Sequence, residues 1–126
     1  MPSFRVVGVW MQGPGDPNTS RVMNDDLETL SPQDMSKLVA YLRSMPVLIR
    51  STALLPDPLS ADETPRVPQS VRTDGVWLWD DSVEYFALHY RLSPDRAFVN
   101  HALSSAAAPQ SPTRERQAEI LRELLA

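Results

Sequence analysis

Asp74-Gly75 separates two short segments, residues 69–73 and 76–79, that are rich in β-branched and aromatic residues. Asp-Gly is the pair preferred by a two-residue type I′ turn, so the stretch predicts a β-hairpin. Thr73 then pairs with Val76, Arg72 with Trp77, Val71 with Leu78 and Ser70 with Trp79. Side chains directly opposite share a face. One face therefore carries Val71, Thr73, Val76 and Leu78, an ordinary core set. The other carries Ser70, Arg72, Trp77 and Trp79, which has two readings. Helices cover it and Arg72 threads past the rings, since large aromatics are buried on average. Alternatively it is an interaction face, because Arg and Trp are favoured at protein interfaces and a guanidinium can stack on an indole.

The prolines constrain the rest. There are twelve in 126 residues, with only four glycines, and eight of them gather at 14 and 17, at 56, 58, 65 and 68, and at 109 and 112. They predict stiff, well-defined connectors. Residues 4–12 read as a strand with both faces largely apolar, and 21–23 as a short returning strand. Ser31-Pro32-Gln33-Asp34 opens a helix carrying Met35, Leu38, Val39 and Leu42, which Pro46 ends. Residues 47–55 follow as a strand interrupted by Arg50 and Thr52. Residues 56–66 form a proline-rich acidic loop. Asp80 or Asp81 caps the next helix, with Glu84 at the capping-box position if Asp81 is the cap. Its apolar stripe is Val83, Phe86, Ala87 and Tyr90. Ser93-Pro94 and Ser111-Pro112 start two more helices. The first presents Phe98 and Ala102, with Val99 and Leu103 beside them. The second presents Ala118, Leu121, Leu124 and Leu125. The whole reads as a single α+β domain over residues 1–126, a small mostly antiparallel sheet of four to five strands with about four helices packed on it.

Several function classes lose support from composition. With no cysteine, disulfides, thiol catalysis and thiolate metal sites are excluded. A net charge of -4 argues against a nucleic-acid ligand, since neutralising phosphates needs clustered Lys and Arg. No apolar run approaches the ~20 residues of a membrane span, and the N-terminal stretch lacks the pattern of a signal peptide. The glycines are too scattered for a phosphate-cradling loop, and no serine stands in a nucleophile elbow. The two histidines, His89 and His101, form no metal-binding pattern. An enzyme using one of them with a carboxylate is the least supported reading. No cofactor or metal is expected. Asp25, Asp26 and Glu28 read as a solvated loop or an acidic patch. Asp57, Asp62 and Glu63, in the long loop, read as a simple connector or as contacts to a basic partner.

The order YLRSMPVLIRSTALLPDPL, then VPQSVRTDGVWLWDDSVEYFALHYRLSP, resembles a group of short bacterial proteins. In that pattern a helix ending in Tyr-Leu-Arg and a proline-started strand lead to Thr-Asp-Gly and Trp-x-Trp, followed by an aromatic helix and a proline-started helix. The likeness spans residues 41–101, and some members of the group resemble cognate immunity proteins of polymorphic toxin systems. It implies a cytoplasmic, non-enzymatic antitoxin that blocks the active site of one protein toxin. An acidic blocker of a basic toxin gains association rate from electrostatic steering. The expected contacts are Arg72, Trp77 and Trp79 on the aromatic face and Asp57, Asp62 and Glu63 in the acidic loop. The alternative is a structural or regulatory subunit that homodimerises through the Trp-bearing face.

Overall fold

The computed structural model describes residues 3–7 and 29–126. The expected strand at 21–23, the acidic group Asp25, Asp26 and Glu28, and most of the 4–12 strand lie outside those residues. The described part of that strand is β1 (Arg5–Val6). Next come α1 (Pro32–Ser44), β2 (Val47–Ile49), β3 (Leu54–Pro56), β4 (Pro65–Pro68), β5 (Val71–Thr73) and β6 (Trp77–Asp80). Three helices follow: α2 (Ser82–Tyr90), α3 (Arg96–Ser105) and α4 (Arg114–Leu125). The fold is α+β. A four-stranded sheet runs in the order β1-β6-β5-β2, and β3 pairs with β4 in a separate two-stranded ribbon. The four-stranded sheet is mixed, because β1 runs parallel to β6 while β5 is antiparallel to both its neighbours.

Local chemistry explains the boundaries. Ser31 Oγ accepts the Asp34 N–H at 3.1 Å, and Pro32 takes the first helical position of α1, where its missing N–H costs nothing. Leu38, Val39, Tyr41 and Leu42 form the buried side of that helix. Arg50 and Thr52 mark the point where the chain leaves one sheet for the other, so the continuous strand expected over 47–55 divides into β2 and β3. Part of the proline-rich loop is in fact β4. Its two prolines sit at the ends of a strand in a two-stranded ribbon, where a missing ladder donor is tolerated.

The aspartate pair caps α2 as expected, though without the capping box, and the caps of α3 and α4 differ from expectation. Asp80 accepts the Ser82 N–H at 2.9 Å and also takes the Ser82 hydroxyl, while Asp81 makes no capping bond and turns to Arg72 instead. Glu84 is therefore free of the capping box and pairs with Arg43 at 2.8 Å. Burial, with Asp81 adjacent, holds the Asp80 carboxyl above its ordinary value against the bonds from Ser82. At α3 and α4 the caps are Asp95 and Thr113, each two residues past the serine of the Ser-Pro pair. The α4 stripe also shifts. Ile120 is its fully buried residue, whereas Ala118 and Leu125 are exposed.

The β5–β6 turn is correctly placed but longer than two residues. Thr73 pairs with Leu78 and Arg72 with Trp79, two residues away from the register expected for a two-residue turn. Side chains close the wider loop. Thr73 Oγ1 donates to the Trp77 carbonyl and accepts the Gly75 N–H, while Asp74 Oδ1 accepts the N–H groups of Val76 and Trp77. Gly75 takes a φ of +96°, open to glycine without strain. Because the slip is even, every side chain keeps the face that alternation assigned to it.

The principal core lies on the tryptophan side of the sheet. Trp77 and Trp79, 5% and 2% exposed, pack with Leu38, Tyr41 and Leu42 of α1 and with Phe98, Val99 and Ala102 of α3. The Phe98 ring lies 5.5 Å from Trp77 and 5.1 Å from Trp79. Val76, expected in the core, is exposed.

Candidate functional site

Two open clefts with polar chemistry flank this core. The first lies where α1, the β5–β6 turn and α3 meet. Tyr41 projects from the inner side of α1 and donates its hydroxyl to Asp74 Oδ2 at 2.7 Å. His101, one turn along α3 from the buried Phe98, places Nε2 3.1 Å from the same oxygen and 3.3 Å from the Tyr41 hydroxyl. The Asp74 side chain is 1% exposed and that of His101 36%. Burial, then the bond and charge of Asp74, push the Tyr41 hydroxyl well above its usual range. A cavity of about 400 Å³ opens beside the trio, with Val76, Ser104 and Gln110 on its walls. A buried carboxylate orienting a partly exposed imidazole resembles an acid–base pair. Yet both Asp74 oxygens are occupied in closing the turn and tying it to two helices, which gives the trio a complete structural role.

The second cleft is a groove between the β3–β4 ribbon and α2. Val67, inside the ribbon, packs against Phe86 with Leu59, Tyr85, Tyr90 and Leu92 around them. Beneath the groove lies Asp57, only 2% exposed. Its Oδ2 accepts the hydroxyls of Tyr85 at 2.8 Å and Tyr90 at 2.5 Å, and its Oδ1 accepts the Leu59 N–H at 2.8 Å. Burial drives this carboxyl upward, but the bonds from Tyr90, Leu59 and Tyr85 outweigh it and leave it below its ordinary value. The same bond, followed by burial, pushes the Tyr90 hydroxyl up to about 12. The groove itself, about 540 Å³, is walled by Arg66 and Pro68 on the ribbon and by Glu84, Tyr85, Leu88, His89 and Tyr90 on α2.

These shifts carry a pH signature. A carboxyl depressed in the fold contributes stability above its unfolded value, near 3.8, and loses it as pH falls through the folded one. A tyrosine raised to about 12 contributes below pH ~10 and loses it as pH climbs through 12. Asp57→Asn is therefore expected to lower stability at neutral pH and to shrink both the acid loss and the loss above pH ~10. Urea unfolding followed from pH 2 to pH 12 measures it. Identical pH profiles for the two proteins would contradict the assignment.

The residues first singled out are dispersed. Trp77 and Trp79 are covered by α1 and α3 of the same chain, so that face is core and is open neither to a partner nor to a second copy. Arg72 does not stack on either indole. It binds Asp81 at 2.9 Å and the Met45 carbonyl at 2.8 Å, while Arg5 sits 5.5 Å over the Trp77 ring. Asp57 turns inward as the anchor of two tyrosines. Asp62 and Glu63 are exposed in the β3–β4 connection, and Asp62 holds Arg66 through both oxygens at 2.8 and 2.9 Å. The structure thus ties Asp57 and Asp62 to residues of the groove, leaves Glu63 exposed in the β3–β4 connection and sends Arg72, Trp77 and Trp79 elsewhere. Sequence reasoning missed Tyr85 and Leu88, and weighed His89 only as a metal or acid–base candidate. The signal available for Leu88 was its place outside the Val83, Phe86, Ala87, Tyr90 stripe, which left a large apolar residue on the outer side of α2.

No family model, curated protein or solved structure matches the chain. Among the described residues, no helix is long and apolar enough to cross a membrane, and no cluster of three or more His, Asp or Glu side chains is placed to hold a metal ion.

Proposed function

We propose that this is a non-enzymatic binding protein, a cytoplasmic immunity protein that neutralises a basic toxin domain by covering its active site, and that the ribbon–α2 groove is the contact surface. The observation behind this reading is the exposure of large apolar side chains beside acidic ones. Leu88, 40% exposed, projects at the groove wall. Leu54, 49% exposed, lies directly across the ribbon from Pro68 and so shares its face. Glu84 stands beside Leu88 on the groove wall, and Asp62 holds the wall residue Arg66. An apolar centre with a charged rim is the composition of a specific protein interface. The net charge of -4 favours a basic partner and speeds the encounter.

The test is capture of the tagged protein's partner, followed by co-expression of the two. The partner is expected to be basic, toxic alone and harmless when co-expressed. Leu54→Asp and Leu88→Asp are each expected to weaken binding by a factor of about ten or more, with thermal unfolding moved little, since both residues are solvent-exposed. Unchanged affinity in both variants would remove the groove from the interface. His101→Gln is expected to leave protection intact. If it abolishes protection in a folded protein that still binds, the Asp74–His101 pair performs chemistry and the non-enzymatic reading fails.

A further inference from the structure

Helix α4 is held differently from the other three. Helix α1 buries Leu38, Val39, Tyr41 and Leu42, and α3 buries Phe98, Val99 and Ala102, whereas α4 buries Ile120 alone. Leu121 and Leu124 are half-buried and Leu125 is exposed. A helix of 12 residues is marginal by itself, so its anchors decide whether it stays docked. Among the described residues, two of its side chains carry polar anchors to other elements. Arg116 donates through Nε to the Gly75 carbonyl at 2.9 Å, through Nη1 to Ser3 Oγ at 3.0 Å and through Nη2 to the Ser3 carbonyl at 2.8 Å. Glu123, two turns along, accepts the Ser3 N–H at 3.1 Å and the Ser3 hydroxyl. Ser3, just ahead of β1, is thus gripped by a cation at its carbonyl and by an anion at its N–H, and these bonds are exposed. Pro112, in the connection that leads into α4, closes over Gly75 so tightly that a Cβ there would meet it at 3.1 Å. The fastenings converge on the β5–β6 turn. In that turn the Val76 carbonyl accepts the Arg5 N–H of β1 at 2.8 Å, and Asp74 ties Tyr41 and His101 together. Gln110, in the same connection as Pro112, walls the Asp74 cleft.

We propose that α4 is a releasable strap that locks the β5–β6 turn. Closed, it holds Gly75 and Ser3. In a local opening it lets go of both, the turn loosens, and the sheet with α1, α2 and α3 stays folded. Such openings draw on elements with little apolar burial and exposed hydrogen bonds. The aromatic core does not depend on α4, since its described members come from the sheet, the first three helices and Leu30. The grips on Ser3 are charged and lie in solvent, so salt screens them and ionic strength shifts the balance toward the open form. The strap needs neither a toxin nor the ribbon–α2 groove and stands or falls apart from the partner reading.

The experiment is hydrogen–deuterium exchange of the full chain, read by peptide mass spectrometry at low salt and in about 0.5 M NaCl. Peptides over 114–125 are expected to exchange about a hundredfold faster than those over 32–44. Salt is expected to speed 114–125 and the turn at 74–77 together, by about threefold, and to leave 32–44 and 96–105 unchanged. Arg116→Ala should act on the same two segments by about tenfold. Arg122→Ala, on the exposed side of α4, should leave the wild-type pattern. Should Arg116→Ala fail to fold, the salt comparison on the wild type decides alone. Equal exchange over 114–125 and 32–44 would overturn the strap. So would α4 exchange that responds to neither salt nor Arg116→Ala, or acceleration of all the helices at once, which is global unfolding. Acceleration of 114–125 with 74–77 unchanged would also overturn it, because α4 would then fray without locking the turn.

Discussion

Asp74→Ala is expected to destabilise the protein by about 3 kcal/mol, because one side chain organises a turn and two helices. Oδ1 takes the N–H groups of Val76 and Trp77, and Oδ2 takes the Tyr41 hydroxyl and faces His101 Nε2. Hydrogen bonds to a charged group contribute about 1.5–3 kcal/mol each, and donors left orphaned in the interior add their desolvation cost. These bonds share one carboxylate, so the losses do not simply add. Asp74→Asn separates the contributions. Its carbonyl oxygen still closes the turn, and its amide can donate to the Tyr41 oxygen, so about 1 kcal/mol should be lost. Urea unfolding followed by tryptophan fluorescence reads both values, since Trp77 belongs to the turn. Equal losses for Ala and Asn would mean that charge, rather than the hydrogen-bond geometry, holds the trio together. A loss below about 1 kcal/mol for Ala would show the network to be incidental.

The same residue shows where sequence reasoning stops. Asp-Gly located the hairpin, and strict alternation sorted its side chains onto the right faces. Neither could reveal that the Asp74 carboxylate would replace backbone partners and widen the turn by two residues. Nor could they reveal that its other oxygen would meet Tyr41 and His101, which are 33 and 27 positions away. Helices α1 to α3 were legible from their apolar spacing, because burial on one side imposes a period that survives in sequence. Helix α4 was less so, since its inner side mixes Arg116, Gln117 and Ile120. Arg116 binds the Gly75 carbonyl at 2.9 Å and the Ser3 carbonyl at 2.8 Å, so polar bonds as well as apolar burial seat that helix. The groove was the least legible part. It exists only because β4 folds against α2, and β4 begins and ends with prolines that argue against a strand. Asp57 reads as one more loop acid until the fold places two tyrosines over it.

Trp79→Ala should be the most damaging single change in the hairpin, at about 3–5 kcal/mol, the range for truncating a large buried aromatic. That is a large part of the 5–15 kcal/mol typical of a domain's whole stability. The ring is 2% exposed and lies between Phe98 of α3 at 5.1 Å and Tyr41 of α1 at 6.5 Å, so its removal opens a cavity at the junction of sheet and helices. Trp79→Phe is expected to cost far less, about 1–2 kcal/mol. It keeps an aromatic contact with Phe98, and it removes an indole N–H that is buried with no hydrogen-bond partner among the described residues. Val76→Ala, at the exposed end of the same hairpin, should change stability by less than about 0.5 kcal/mol. Chemical denaturation of the three variants ranks them directly. If Trp79→Ala unfolds at the wild-type midpoint yet weakens partner binding, the tryptophan side of the sheet is an interface and α1 and α3 do not cover it. If it unfolds early while Leu88→Asp keeps the wild-type midpoint and loses the partner, core and contact surface are separate, and the hairpin aromatics act in binding only by holding the sheet and helices together.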